Sequence, residues 1–138
     1  RKIYEILNDR GVCVLHTIGS ILPPQPNTPF IQKWIFPNGE IPHESAMAKN
    51  IEKSGLIISD RETLIRHYDK TLESWLKRFL KNKHIAKDLF DQKFVKMWEF
   101  YLASCSAAFK YRDLVVFQYQ LVKNFDAIPS NRRDYIYS

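Results

Sequence analysis

Two side chains of this sequence, His16 and Tyr68, combine a chemistry-bearing group with a position at the end of a predicted element. His16 closes an apolar run, and Tyr68 stands just before a predicted helix. An imidazole and a phenol can each donate a hydrogen bond, so either side chain could take part in a functional site. Two plainer interpretations stay open. His16 could be a histidine at the edge of the core, satisfied by a backbone group, and Tyr68 could simply anchor its helix.

The remaining histidines and the cysteines predict no metal site and no disulfide. His43, His67 and His84 have no spacing that suits a shared metal ion, although His67 could border a site at Tyr68. Cys13 and Cys105 lie far apart in apolar stretches without a Cys-x-x-Cys pattern. Cys105 falls on the apolar stripe of a long predicted helix, where a small packing residue is expected rather than a nucleophile.

Composition indicates one globular domain in a reducing compartment. The 138 residues are 45% hydrophobic, and 21 basic against 15 acidic residues give a net charge of +6 and favour anionic partners. The positive charges are scattered, and the dense pair Arg132 and Arg133 lies in a polar tail. Residues 1–8 lack a signal-peptide core, and no apolar run approaches the ~20 residues that span a bilayer. We therefore expect a cytoplasmic protein, and a fragment, because residues 3–7 look like the middle of an amphipathic helix.

Strands and helices alternate along the chain. Three segments have the apolar or β-branched character of strands: 12–16, 56–58 and 114–122. The first is a near-continuous apolar run that ends at His16, which is typical of a central strand buried on both faces. Four segments have helical spacing or helix-start signals: 30–36, 42–55, 69–80 and 91–110. Asp69 is the expected N-cap of the third helix. Three strands are too few for a sheet covered on both faces, so the pattern predicts part of an α/β domain.

Several sequence blocks, in order, resemble the cyclopropane-fatty-acyl-phospholipid synthase family. These blocks are LHTIG at 15–19, PFIQKWIFPNGEIP at 29–42, HYDKTLESWLKRF at 67–79, FYLASCSAAF at 100–109, and the strand that follows Arg112-Asp113. The resemblance covers residues 1–122 and implies the C-terminal portion of a class I S-adenosylmethionine-dependent methyltransferase, with a Rossmann-like sheet and a helical cap. Residues 123–138 are expected to form an irregular tail.

The resemblance also implies an activity and a site. Members of this family transfer the methyl group of S-adenosylmethionine to a cis double bond of a phospholipid acyl chain, and loss of a proton then closes a cyclopropane ring. The base is thought to be a bound bicarbonate, which by resemblance is held here by His16, by the backbone of Ile18 and by Tyr68. Such chemistry needs an apolar tunnel that excludes water. The aromatic candidates for its lining are Trp75, Phe79, Trp98 and Tyr101.

Some family features are missing or altered. The sequence has no glycine-rich loop and no acidic residue after a first strand, so we expect the chain alone to be inactive and to bind neither S-adenosylmethionine nor bicarbonate tightly. Phe117 and the pair Tyr119-Gln120 depart from the family pattern in the last strand, which leaves the acyl-chain preference open. The resemblance implies peripheral contact with the phospholipid membrane at its inner face. We also expect self-association through the edge of the 12–16 strand.

Two other functions would also suit parts of this sequence. A small-amine N-methyltransferase could share the 29–42 block, but such an enzyme would not need the anion-holding Tyr68. A non-enzymatic basic module could bind anionic lipid or nucleic acid through its lysines and arginines. The sequence has no nucleic-acid-binding motif and no clustered basic face, so nucleic acid is not expected as a partner.

Overall fold

A computed structural model describes residues 1–130 and 132–137 and contains both helices and a sheet. The chain divides into two compact units. Unit 1 comprises Arg1–Thr17, Glu44–Thr63 and Phe117–Ser138, and unit 2 comprises Ile18–His43 and Leu64–Val116. None of the described helices combines the length and the apolar character needed to cross a membrane.

The sheet has three strands, β1 (Val12–Ser20), β2 (Ile57–Leu64) and β3 (Leu114–Val122), in the order β1-β3-β2. Hydrogen bonds just beyond each end of the β1–β3 pair show how the two strands run relative to each other. Ile21 N–H donates to the Asp113 carbonyl at 3.2 Å, and the Asn124 amide donates to the Asp9 carbonyl at 2.9 Å. Residue numbers rise along β1 where they fall along β3, so β3 runs antiparallel to β1.

The predicted strand at 114–122 is confirmed, and it is the most buried element of the sheet. Its residues 115, 117, 119 and 121 are at most 2% exposed, and Val116 and Val122 on the other face are equally buried. Apolar and aromatic residues on both faces explain why this segment takes the middle position.

The prediction for β1 was wrong in one respect. The segment is a strand, and it lies at an edge of the described sheet as the expected self-association requires, but it is not buried on both faces, because its burial alternates. Val12 and Val14 are 40% and 66% exposed, because no described element covers the face that carries them. An apolar run alone does not reveal which faces are covered.

Among the described residues of unit 1 are the α-helices α1 (Lys2–Ile6) and α3 (Glu44–Lys53), the second within the predicted 42–55 segment. Gly55 follows α3 with a φ of +83°, and a Cβ built at this position would lie 3.2 Å from the Tyr4 ring. A glycine meets both requirements, a left-handed backbone and a close ring.

Unit 2 contains α2 (Pro29–Trp34), α4 (His67–Lys81), α5 (Lys83–Leu89) and α6 (Gln92–Tyr111). Helix α6 matches the prediction closely, because Asp91 accepts a hydrogen bond from Phe94 N–H and thereby starts the helix. Helices α4 and α6 pack around a core of Leu72, Leu102, Phe109 and Val116. Helix α5 was not predicted.

The prediction that Asp69 caps α4 was wrong. The helix begins two residues earlier, at His67, after Arg66 adopts a left-handed φ of 62°. Asp69 lies inside the first turn, is only 6% exposed, and accepts a hydrogen bond from the Ser106 hydroxyl of α6 at 2.9 Å. The carboxylate that was expected to start one helix therefore joins two helices.

Residues 123–137 contain two short 3-10 turns, Phe125–Ala127 and Arg133–Ile136. Ala127 is buried, and the Arg133 guanidinium makes two hydrogen bonds to the Asp60 carboxylate, at 2.7 and 2.9 Å. The division of the chain into a domain at 1–122 and a tail at 123–138 stays a prediction.

We expect Ser106→Ala to lower the free energy of unfolding by about 1.5–3 kcal/mol, because it leaves a buried carboxylate oxygen without its donor. Urea denaturation measures this loss. Ser104→Ala is the matched control on the same helix, since its hydroxyl donates only to the Tyr101 carbonyl one turn back. The control should change the free energy by less than about 0.5 kcal/mol. Equal losses in the two variants would contradict the role given to the Asp69–Ser106 contact.

Candidate functional site

His16 and Ile18 lie on one face of β1. Side chains two residues apart in a strand point the same way, and both of these are exposed, Ile18 by 36%. The next two residues, Gly19 and Ser20, are buried. The strand therefore presents an imidazole and an aliphatic side chain together at its carboxyl end.

A glutamine of β3 orients the His16 ring. Gln118 Nε2 lies 3.0 Å from His16 Nδ1, and an amide NH₂ can only donate, so Nδ1 accepts. The proton of the neutral imidazole then resides on Nε2, the nitrogen that the Gln118 amide does not contact. His16 is thereby set to act as a hydrogen-bond donor to a ligand. Sequence analysis missed Gln118, and its signal was an amide within an otherwise apolar strand.

A second polar cluster fixes the end of β1 in unit 2. The Ser20 hydroxyl donates to the Asp113 carboxylate at 2.6 Å, and Ser20 N–H donates to the Pro42 carbonyl at 3.0 Å. The same hydroxyl accepts from Leu22 N–H at 3.1 Å. These bonds immobilise the backbone just after the Thr-Ile-Gly segment, which includes the Ile18 backbone of the predicted site.

Tyr68 lies in the first turn of α4 and is half-buried. Its ring packs edge-on against the Trp75 ring, with centroids 6.0 Å apart. It also contacts the Phe109 ring, with centroids 5.1 Å apart. Burial raises the pKa of Tyr101, and the nearby Cys105 and Tyr68 raise it further, so these three polar side chains share one apolar surrounding. Burial also raises the pKa of the Cys105 thiol, which keeps it protonated and agrees with a packing role.

The aromatic candidates for the tunnel all lie in unit 2. Phe79, Trp98 and Tyr101 pack against the core between α4 and α6, whereas Trp75 is 40% exposed and contacts the Tyr68 ring. The structure therefore places three of the four on one apolar cluster, beside Tyr68. Their role as a tunnel lining stays a prediction.

The predicted anion-holding residues are divided between the two units. His16 belongs to unit 1, and Ile18 and Tyr68 belong to unit 2. The assignment of the three residues to one site stays a prediction. Within residues 1–130 and 132–137, no group of three or more His, Cys, Asp or Glu side chains is placed to hold a metal ion.

Comparison with known proteins places this arrangement in a family. Residues 1–119 match the sequence profile described as mycolic acid cyclopropane synthetase. This chain belongs to the mycolic acid cyclopropane synthetase family. The chain is 35% identical over 112 residues to the cyclopropane-fatty-acyl-phospholipid synthase of Escherichia coli, a match that covers 81% of this chain and 29% of that protein. It is 38% identical over 96 residues to a tuberculostearic acid methyltransferase of Mycobacterium tuberculosis, covering 68% and 22%.

Solved structures of family members have the same fold. The cyclopropane synthase MmaA2 from Mycobacterium tuberculosis superposes with a TM-score of 0.79 at 26% identity, over 86% of this chain and 46% of that chain. The mycolic acid cyclopropane synthase CmaA1, in complex with SAH and CTAB, gives a TM-score of 0.73 at 27% identity, over 80% and 44%. The chain thus has the fold of the C-terminal portion of a class I S-adenosylmethionine-dependent methyltransferase.

The residues present do not by themselves fit an S-adenosylmethionine site. The four glycines, Gly11, Gly19, Gly39 and Gly55, are spread along the chain, and none belongs to a glycine-rich loop that could cradle the cofactor. The match covers less than a third of the Escherichia coli enzyme. The His16 imidazole and the Tyr68 hydroxyl can each donate a hydrogen bond, and their assignment to one anion site stays a prediction.

We expect Gln118→Glu to move the His16 proton from Nε2 to Nδ1, because a carboxylate in place of the amide can accept from Nδ1 but cannot donate to it. Long-range ¹H–¹⁵N correlation spectra at mildly alkaline pH distinguish the two tautomers. Gln120→Glu is the control on the same strand, since Gln120 bonds to Ser59 and Tyr135 rather than to His16. An unchanged His16 tautomer in Gln118→Glu would show that the glutamine does not set the ring.

Proposed function

We propose that this chain is the C-terminal part of an enzyme that transfers the methyl group of S-adenosylmethionine to the cis double bond of an unsaturated phospholipid acyl chain and forms a cyclopropane. The observation that carries the proposal is the family match over residues 1–119. The relationship to a cyclopropane-fatty-acyl-phospholipid synthase supports the substrate class.

Within this proposal, three residues hold a bicarbonate ion. His16 donates from Nε2, Tyr68 donates from its hydroxyl, and Ile18 contributes its backbone. Bound bicarbonate supplies the base for the final proton. Gln118 keeps the imidazole in the tautomer that donates, and the Ser20–Asp113 contact keeps the Ile18 backbone in place. These residues thereby hold a negative charge at the point where the reaction develops a positive one.

In this proposal, the anion site supplies the base and the apolar cluster of unit 2 binds the substrate. Phe79, Trp98 and Tyr101 form an aromatic wall that accepts an acyl chain and keeps water away from a cationic intermediate. The substrate resides in a bilayer, so the enzyme works as a cytoplasmic protein at the inner face of the membrane, with phospholipid rather than nucleic acid as its partner. Its net charge of +6 supports attraction to an anionic surface.

The test uses a chimera in which this chain replaces the matching part of the Escherichia coli synthase. We expect the chimera to form cyclopropane fatty acids from unsaturated phospholipid, measured by gas chromatography of the fatty acid methyl esters. In the chimera, His16→Ala and Tyr68→Phe should each lower the rate about tenfold to a hundredfold, because each removes one donor from a buried anion. The affinity for S-adenosylmethionine should stay unchanged, since neither residue is proposed to touch the cofactor.

Matched controls separate this role from general damage. His84→Ala and Tyr111→Phe change exposed residues of the same types and should leave the rate unchanged. The 138-residue chain alone should show no micromolar binding of S-adenosylmethionine in calorimetric titration. Wild-type turnover in both His16→Ala and Tyr68→Phe at low bicarbonate would refute the anion site.

We also propose that the isolated chain self-associates through β1. This strand is at the sheet edge, and Val12 and Val14 expose apolar surface beside it, so two copies can pair edge to edge. Sedimentation velocity should show an average mass that rises with concentration. Val14→Lys should suppress the rise by placing a charge beside the edge, whereas Ile65→Lys, at a residue 56% exposed in a loop, should not. A monomer at all concentrations would contradict the proposal.

A further inference from the structure

Unit 2 exposes a set of large aromatic side chains that the proposed acyl-chain wall does not use. Trp34, Phe90 and Phe100 are 44%, 63% and 56% exposed. Surface aromatics are common singly, but a contiguous group indicates an interaction site.

Ring contacts and an open groove join these residues into one surface, which we name the aromatic face. Phe100 packs edge-on against Phe30 with centroids 4.8 Å apart, and Phe90 stacks on Phe94 at 4.3 Å. Phe30, Phe94 and Trp34 also line an open groove of about 560 Å³. The aromatic face is therefore continuous from α2 to the start of α6.

Two lysines give the aromatic face a positive charge. Lys93 Nζ lies 4.6 Å from the centroid of the Trp34 ring, and Lys33 Nζ lies 5.2 Å from it. Asp91, which also lines the groove, uses its carboxylate to accept from Phe94 N–H at 2.6 Å, where the N-terminus of α6 offsets its charge. An anionic partner is thus favoured at Trp34.

Exposed aliphatic side chains extend the same surface along α5. Leu89 is 72% exposed and adjoins Phe90 in the chain, and Ile85 is 48% exposed and one helical turn earlier. Aliphatic groups gain free energy by entering hydrocarbon, but they offer neither a stacking plane nor a donor to a nucleic-acid base.

From these observations we infer that the aromatic face docks on an anionic phospholipid bilayer, with Trp34 and Phe90 in the interfacial layer and Lys33 and Lys93 against headgroup phosphates. Tryptophan is enriched at membrane interfaces, and lysine keeps its charge in water while its alkyl stem covers apolar surface. The inference deepens the proposed function and rests on it, because it names the side of unit 2 that approaches the lipid.

Vesicle co-sedimentation of the 138-residue chain tests the docking. The lipids are saturated phosphatidylglycerol and saturated phosphatidylcholine, which have no double bond, so binding is measured independently of methyl transfer. We expect binding to phosphatidylglycerol at least tenfold tighter than to phosphatidylcholine, and weakened by added salt. Equal binding to both lipids, or to neither, would overturn the inference.

Two sets of variants assign the binding to the aromatic face. The double variant Lys33→Gln/Lys93→Gln should weaken binding to phosphatidylglycerol about twenty-fivefold, since each lysine near an anionic surface contributes roughly fivefold. Phe90→Ser should weaken it about tenfold through lost apolar burial. The controls are Lys49→Gln/Lys81→Gln and Phe125→Ser, which change exposed residues elsewhere; Phe125 is 75% exposed. Thermal unfolding of each variant confirms that the fold is intact.

The remaining outcomes have distinct meanings. If the aromatic-face variants bind no more weakly than the controls, the docking site is wrong. If Phe90→Ser changes the self-association of the protein but not its binding to vesicles, a second copy occupies the aromatic face and the inference fails. A single-stranded oligonucleotide that binds as tightly as the anionic vesicles would also overturn it. If vesicle binding depends on the face while the chimera makes no cyclopropane, the docking stands and only the proposed reaction fails.

Discussion

The arrangement depends on one constraint: β3 must be paired on both edges and covered on both faces. Its residues 115, 117, 119 and 121 are almost completely buried, and Val116 on the opposite face belongs to the core between α4 and α6. A strand of this kind satisfies its backbone groups only if a neighbour lies on each side, and β1 and β2 supply them. Burial raises the pKa of Tyr119, so its hydroxyl stays neutral inside this layer.

The same constraint explains how β3 can contain polar side chains. Gln118 and Gln120 lie on one face, and each is bonded to a different neighbouring strand, Gln118 to His16 of β1 and Gln120 to Ser59 of β2. A buried or half-buried amide is tolerated when its hydrogen bonds are made. Gln118 meets this requirement by its hydrogen bond to His16. One side chain therefore connects the buried middle strand β3 to the histidine of the edge strand β1.

Sequence patterns predicted the elements whose signals are local. The β-branched run of β3 and the Asp91 cap with the apolar stripe of α6 both led to correct elements. Asp69 was misassigned because a buried partner on another helix, Ser106, accounts for its position better than the capping preference. The exposed face of β1 could not be predicted either, since coverage of a strand face depends on residues distant in the chain.

The candidate site shows the same limit. His16, Ile18 and Tyr68 could be proposed from short blocks and their resemblance to a family, and their common role stays a prediction. Gln118 and the Ser20–Asp113 contact were not found, although both act on the predicted residues. Gln118 lies 102 positions from His16, and Asp113 lies 93 positions from Ser20, so each pair is brought into contact only by the register of the strands.

The strand order has a consequence for the path by which this chain folds. β1 and β2 are each paired with β3 and not with each other in the described sheet, and β3 is the last strand in the chain. Contact between His16 and Gln118 closes a loop of 102 residues, at an entropic cost on the order of 4 kcal/mol. The sheet therefore depends on non-local pairing, which forms more slowly than the local contacts of the helices. During synthesis at about 5–20 residues per second, several seconds pass between the completion of β1 and the appearance of β3, its partner in the described sheet.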